Sequence, residues 1–172
     1  MLADLGVLVL RLVVGLLLFG HGAQKLFGWF GGYGLKGTAG WLASLGLQPA
    51  SFWAFMAGLS EAGGGALLAL GLLSPLGSLG IIASMLTAIA KVHWSKGIWV
   101  SNGGVEYPLT NLAAALALAL IGPGAYSLDA ALGIALPQPI TLLGGLILVL
   151  IGFAVAMSGP SRQASATGQA SR

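Results

Sequence analysis

The first apolar run, from about Ala3 to Phe27, limits the fold more than any other stretch of this chain. It contains no proline, and as a helix it is long enough to cross a hydrocarbon core of roughly 30 Å with some tilt. Three cationic or titratable side chains interrupt it: Arg11, His21 and Lys25. At about 100° per residue, Arg11, Leu18 and Lys25 share one stripe, with His21 beside them. Such groups are costly at membrane depth, so they must face protein or a wet cavity and find partners there. Glu61, Glu106 and Asn111, at the edges of or inside later apolar runs, are the candidates.

Only 6% of the 172 residues are charged and 57% are hydrophobic, with a mean hydropathy of +0.96. Soluble domains carry about 25% charged residues, so these few charges cannot cover a water-facing surface and the solvent must be lipid. The net charge of +3 comes from scattered residues, and basic clusters interleaved with aromatics are missing, which gives no nucleic-acid surface. The chain has no cysteine, which excludes disulfides, thiol redox chemistry and thiolate metal ligation. Twenty-nine glycines suit close packing of helices in a membrane. No Gly-x-Gly-x-x-Gly run follows a strand, so they imply no nucleotide site.

The expected architecture is all-α: a transmembrane helical bundle with a four-helix core plus a fifth C-terminal transmembrane helix. Asp4 is the only charge before Arg11, and the apolar run outlasts any cleavage point of a signal peptide, so the first helix is read as retained. The aromatic Gly28–Gly34 stretch ends it at the membrane interface. Lys36–Leu47 reads equally as a short interfacial helix or as an aromatic loop. The second helix is expected over Phe52–Leu73 with Ser51 as its N-cap. Ser74-Pro75 forms a tight joint, Ser74 capping and Pro75 at the first helical position, before a third helix over Leu76–Trp94. A polar loop leads to a fourth helix over Pro108–Ile121, short for a full crossing. Ser127-Leu-Asp129 reads as the cap and first turn of a small helix. Ile140–Met157 is long enough to span, and its Gly144, Gly145 and Gly152 suggest a packing or docking helix. The division is thus a four-helix bundle over 1–132, an additional helix over 133–157, and a disordered polar tail over 158–172. With five spans, Lys25, Lys36, Lys91, Lys96, Arg162 and Arg172 fall on one side, which places the N-terminus outside and the C-terminus in the cytoplasm. If the short fourth run does not cross, the tail lies outside.

Arg11 and Glu61 lie at comparable depth when counted from opposite faces, so an ion pair between them is expected, bridging adjacent helices. The glycines beside Glu61 would let a backbone or a flat ligand come close. His21, Lys25, Lys91, His93 and Glu106 converge towards one membrane face. His21, His93 and Glu106 are the candidate catalytic groups, suited to proton exchange. Lys25, Lys91 and Asn111, with aromatic walls from Trp94, Trp99 and Phe27, suit a quinone or a small anionic substrate. Two histidines and two glutamates could also ligate iron, zinc or manganese, but their spacing matches no Glu-x-x-His or His-x-x-x-His arrangement and no metal is expected. The blander reading is that Arg11–Glu61 fixes helix register and that Lys25, Lys91 and Lys96 are snorkelling anchors.

These residues carry a resemblance to the DoxX family of small prokaryotic membrane proteins. The matching pieces are Arg11-Leu-x-x-Gly15, Gly20-His-Gly-x-x-Lys25-Leu, Glu61-x-Gly63-Gly64, Gly71-Leu-Leu-Ser-Pro75, His93 through Gly97, Gly104-Val-Glu106-Tyr-Pro and Gly122-Pro-Gly-x-Tyr-Ser-Leu-Asp129. The resemblance implies a four-helix bundle in the cytoplasmic (inner) membrane of a prokaryote and a redox neighbourhood. The related DoxD protein is the large subunit of a thiosulfate:quinone oxidoreductase, and some DoxX-like proteins associate with superoxide dismutase and a sulfurtransferase. It therefore implies a quinone-linked oxidoreductase, or a non-catalytic subunit of a membrane redox complex or homo-oligomer. An ion or small-molecule carrier is the third reading, which broken helices or an inverted repeat would favour.

Overall fold

The computed structural model describes residues 1–159 of the chain. Within them the chain is helical throughout: α1 (Leu2–Phe27), α2 (Gly34–Ser44), α3 (Ala50–Leu70), α4 (Leu76–Ala88), α5 (Glu106–Ile121), α6 (Leu128–Leu132) and α7 (Gln138–Met157). The helix of α4 continues through a wider turn at Ile89–His93 and a tighter one at Trp94–Lys96. Four segments are long and apolar enough to cross a membrane: Leu2–Phe27, Ala50–Leu70, Leu76–Lys96 and Gln138–Met157. The expected tail falls mainly on residues 160–172, outside the described residues.

α1 and α3 form the central antiparallel pair, and glycine sets their register. A Cβ at Gly15 would run into the backbone of Ala69, one at Gly22 into the backbone of Ala62, and one at Gly58 into the side chain of Leu26. Small residues at these points bring the two backbones together, which suits association where no hydrophobic effect drives helices into contact. Val14 and Leu18 of α1, Leu68 of α3, Ile81, Ile82 and Met85 of α4, and Ala115 and Leu118 of α5 form the core.

α5 has 16 residues, or about 24 Å of helix, yet it runs the length of the bundle. At its start the Tyr107 ring lies 5.6 Å from that of His21. Beyond its end the Ala125 amide donates to Asp4 Oδ1 at the start of α1. The bundle therefore has five passes, and the start of α1 and the end of α7 lie at opposite ends.

α2 resolves the choice between interfacial helix and loop in favour of a helix. It packs on α1 and α3 with Thr38 and Leu42 buried, and Thr38 Oγ1 donates to the Lys25 carbonyl at the end of α1. Two expected caps are corrected. α3 begins at Ala50, one residue before Ser51, so Ser51 lies inside the helix and caps nothing. Ser74 does not cap α4 with its side chain either. Instead the Asp129 carboxylate accepts from the amides of Leu73 and Ser74, both at 2.8 Å. Ser127 does cap α6, its hydroxyl accepting from the Ala130 amide.

α7 is the most apolar helix and the least buried. Leu142 packs with Leu79 of α4 and Ala119 of α5, and Gly145 sits against Leu79. At the far end Ala156 packs with Leu42, Leu47 and Ala54. α7 thus crosses obliquely from α4 and α5 to α2 and α3.

Candidate functional site

The buried charges separate into two groups. At the end carrying the start of α1, Arg11 is only 2% exposed. Its Nη2 donates to the Tyr126 carbonyl at 2.6 Å, and Gly71 leaves the space that the guanidinium occupies. Nε and Nη1 have no partner among the described residues, and Arg11 lines a cavity of about 10 Å³, the room of one water molecule. Asp129, also buried, receives Leu73 and Ser74 as above, and its own amide donates to the Gly71 carbonyl at 3.0 Å. Together these contacts fasten the α5–α6 connection onto the α3–α4 joint.

At the other end Glu61 lies 4% exposed on α3. Its Oε2 pairs with Lys25 Nζ of α1, and its Oε1 accepts from Ser84 Oγ of α4 at 2.6 Å. The carboxylate therefore ties three helices together and has both oxygens engaged, as a buried carboxylate requires.

The expected Arg11–Glu61 pair does not form. The register that faces Gly15 to Ala69 and Gly22 to Ala62 sets Glu61 level with Ala23 and Arg11 level with Leu73. That separates the two along the axis by about 18 Å at 1.5 Å per residue. Counting depth from opposite faces missed this offset. The glycine pattern carried the information, because Gly15 and Gly22 on α1 and Gly58 and Gly65 on α3 recur at the same spacing.

Glu61 opens onto a cavity of about 690 Å³. Leu18, His21 and Lys25 of α1, Ser84, Met85 and Thr87 of α4, and Tyr107 line its inner part. Trp41 and Leu42 of α2 and Phe52, Trp53 and Met56 of α3 form an aromatic and apolar wall. Leu148, Val149, Gly152, Phe153 and Val155 of α7 also line it. Lys91, Val92 and His93 border it at the end of α4. The size falls within the range of small-molecule sites, about 300–1,000 Å³.

Of the sequence-derived site residues, the fold brings His21, Lys25, Glu61, Lys91 and His93 to this cavity. His93 is oriented by its loop: Nδ1 lies 2.6 Å from the Gly103 carbonyl, and a carbonyl can only accept, so Nδ1 carries the proton. In the neutral ring Nε2 is then the acceptor. The other expected members lie elsewhere. Glu106 accepts from the Val100 amide at 2.8 Å and closes the α4–α5 loop. Trp94 and Trp99 are among the most exposed aromatics and do not line the cavity. Phe27, also exposed, stacks on Trp29. Asn111 is buried but donates within its own helix to the Tyr107 carbonyl at 2.9 Å.

Sequence reasoning missed Ser84, Tyr107, Trp41, Trp53 and the α7 wall. Ser84 lacked a signal because a lone serine in an apolar helix usually bonds its own backbone. Among the described residues no group of three or more His, Asp or Glu is placed to hold a metal ion.

No curated protein and no solved structure matches the chain. Residues 6–94 match the family model described as DoxX. That segment, just over half of the 172 residues, contains α1 to α4 up to Trp94, and with it Arg11, Gly15, His21, Lys25, Glu61, Ser84 and His93. The chain is a small multi-pass membrane protein, and it belongs to the DoxX family.

Proposed function

We propose that this protein takes part in membrane redox chemistry by binding the head group of a quinone, or a small anionic substrate of similar size, in the 690 Å³ cavity. The observation that carries this reading is the placement of a buried, fully engaged carboxylate at the inner end of an aromatic-walled cavity inside a lipid-embedded bundle. Structural ion pairs between membrane helices have no need of such a space beside them. Intramembrane ionisable groups that line a cavity mark ligand or proton paths.

The residues fit such a head group. Lys25 Nζ is a donor for a carbonyl oxygen, and Glu61, whose oxygens can each accept a second bond, is an acceptor for a hydroxyl. His21, whose ring lies tilted against that of Tyr107, and His93 Nε2 are positioned to exchange protons. Lys91, beside His93, favours an anionic form. Trp41, Phe52 and Trp53 offer flat apolar surface. When bound, a quinone supplies a two-electron acceptor; the electrons come from a reduced substrate or a partner subunit. Lys25, Lys36, Lys91 and Lys96 all sit at one end of the bundle, so this end faces the cytoplasm of a prokaryotic cell by the positive-inside rule.

Difference spectra of the purified protein with a short-tailed benzoquinone test the reading, with quenching of tryptophan fluorescence recorded in parallel. Saturable binding is expected in wild type, with weakening of about tenfold or more in Glu61→Gln and in His21→Ala, the cost of losing one buried hydrogen-bond partner. Identical spectra and affinities in all three proteins would rule the site out and leave an accessory, non-catalytic role.

A further inference from the structure

The 690 Å³ cavity has two differently built rims, and α7 makes one of them. Its two halves are anchored on different neighbours, Leu142 on α4 and α5 and Ala156 on α2 and α3. Between these anchors α7 lies over the cavity as a strap. The residues it contributes there face both ways: Leu148 and Val155 line the cavity and are 70% and 57% exposed. Trp41 and Phe52 also line the cavity while about half exposed. This rim is wholly apolar, and it lies along a helix that is apolar through its whole length. Gly152, another lining residue, is exposed, and a Cβ there would meet nothing within 4 Å, so no neighbour covers α7 at this point of the rim. The second rim, at Lys91 and His93, is polar and lies at the lysine-bearing end.

We infer that the rim at Gly152 is a lateral passage between the cavity and the bilayer, used by a ligand with a long apolar tail. The polar head lies at Glu61 and Lys25, and the tail leaves beneath α7 into the acyl chains. Protons and water-soluble reactants use the Lys91–His93 rim instead. A ligand arriving only from water would need no apolar opening at membrane depth. The inference rests on the head-group reading above and adds to it the ligand's lipid origin and the route it takes.

The test uses the full-length protein in liposomes, with tryptophan quenching followed after mixing. A short-tailed benzoquinone is added from water, and a polyprenyl quinone is delivered from donor vesicles. Gly152→Phe narrows the passage, and Gly152→Leu serves as a smaller second variant. Gly144→Phe is the control, since that glycine also faces open space but does not line the cavity. The expected result is that both Gly152 variants slow binding of the polyprenyl quinone by about tenfold more than they slow binding of the short-tailed quinone, as obstructed access lowers an association rate. Gly144→Phe should match wild type for both. Equal rates for the polyprenyl quinone in wild type and in Gly152→Phe would overturn the passage while leaving the head-group site standing, and so would equal slowing of the two quinones. A wild-type protein quenched by neither quinone would remove the head-group reading and the passage with it.

Discussion

The two ends of this bundle use buried charge in opposite ways. At the Arg11 end the charged groups bond mainly to backbone: Arg11 to the Tyr126 carbonyl, Asp129 to the amides of Leu73 and Ser74, Asp4 to the amide of Ala125. The cavity that Arg11 lines holds about one water. At the Lys25 end the charged groups bond to other side chains, Glu61 to Lys25 and Ser84, and a cavity of about 690 Å³ adjoins them. Backbone partners cannot swing away, so the first end is a clasp that holds loops. Side-chain partners can change rotamer and be displaced by a ligand, so the second end is the one we propose as the binding site.

If that contrast is right, substitutions at the clasp should cost stability, and those at the cavity should chiefly cost binding. The largest effect is expected from Arg11→Met, which keeps much of the volume but leaves the Tyr126 carbonyl without its buried cationic donor. We expect a loss of about 3 kcal/mol in unfolding free energy, read from denaturant unfolding in lipid or detergent, with quinone affinity unchanged in the folded fraction. A drop in affinity with no loss of stability would reverse the roles of the two ends. Asp129→Ala comes next, at about 2 kcal/mol, because two backbone amides lose a charged acceptor. Increased proteolysis within residues 122–133 should accompany it.

Ser84→Ala is expected to cost about 1 kcal/mol of stability, since Glu61 keeps Lys25. Binding should weaken several-fold, because Glu61 loses the bond that holds its Oε1 in place. A stability loss as large as that of Arg11→Met would mean that the second end is also a clasp. The smallest effect should come from Trp99→Ala, within about 0.5 kcal/mol in stability and with binding unaltered, as befits an exposed aromatic that does not line the cavity.

The helices themselves were legible because lipid demands long apolar runs. α1, the long third span and α7 begin and end within a few residues of where hydropathy and proline place them. The clasp was only partly legible. Ser127 and Asp129 read locally as a helix start, and Ser127 does cap α6, but nothing local announces that Asp129 reaches back to Leu73 and Ser74 across more than fifty residues of chain. The ion pair was misread because opposite charges were matched by depth alone. Helix register in a membrane is set by where small residues let backbones touch, and the spacing of Gly15, Gly22, Gly58 and Gly65 carried that information. Trp94 and Trp99 were misplaced for a related reason. An aromatic near a membrane face serves an interface as readily as a pocket, and only the path of the α4–α5 loop decides between them. The polar side of the cavity was expected at His21, Lys25, Lys91 and His93, but its walls from α2, α3 and α7 were not, since they depend on α7 crossing obliquely to α2 and α3.

One measurement bears on the central claim directly: a density map of the full chain in lipid nanodiscs loaded with polyprenyl quinone. The account predicts Glu61 between Lys25 and Ser84, a flat head group beside them and His21, and a tail leaving under α7 at Gly152. Glu61 paired with Arg11, or a cavity holding only lipid acyl chains while quinone sits elsewhere, would contradict it.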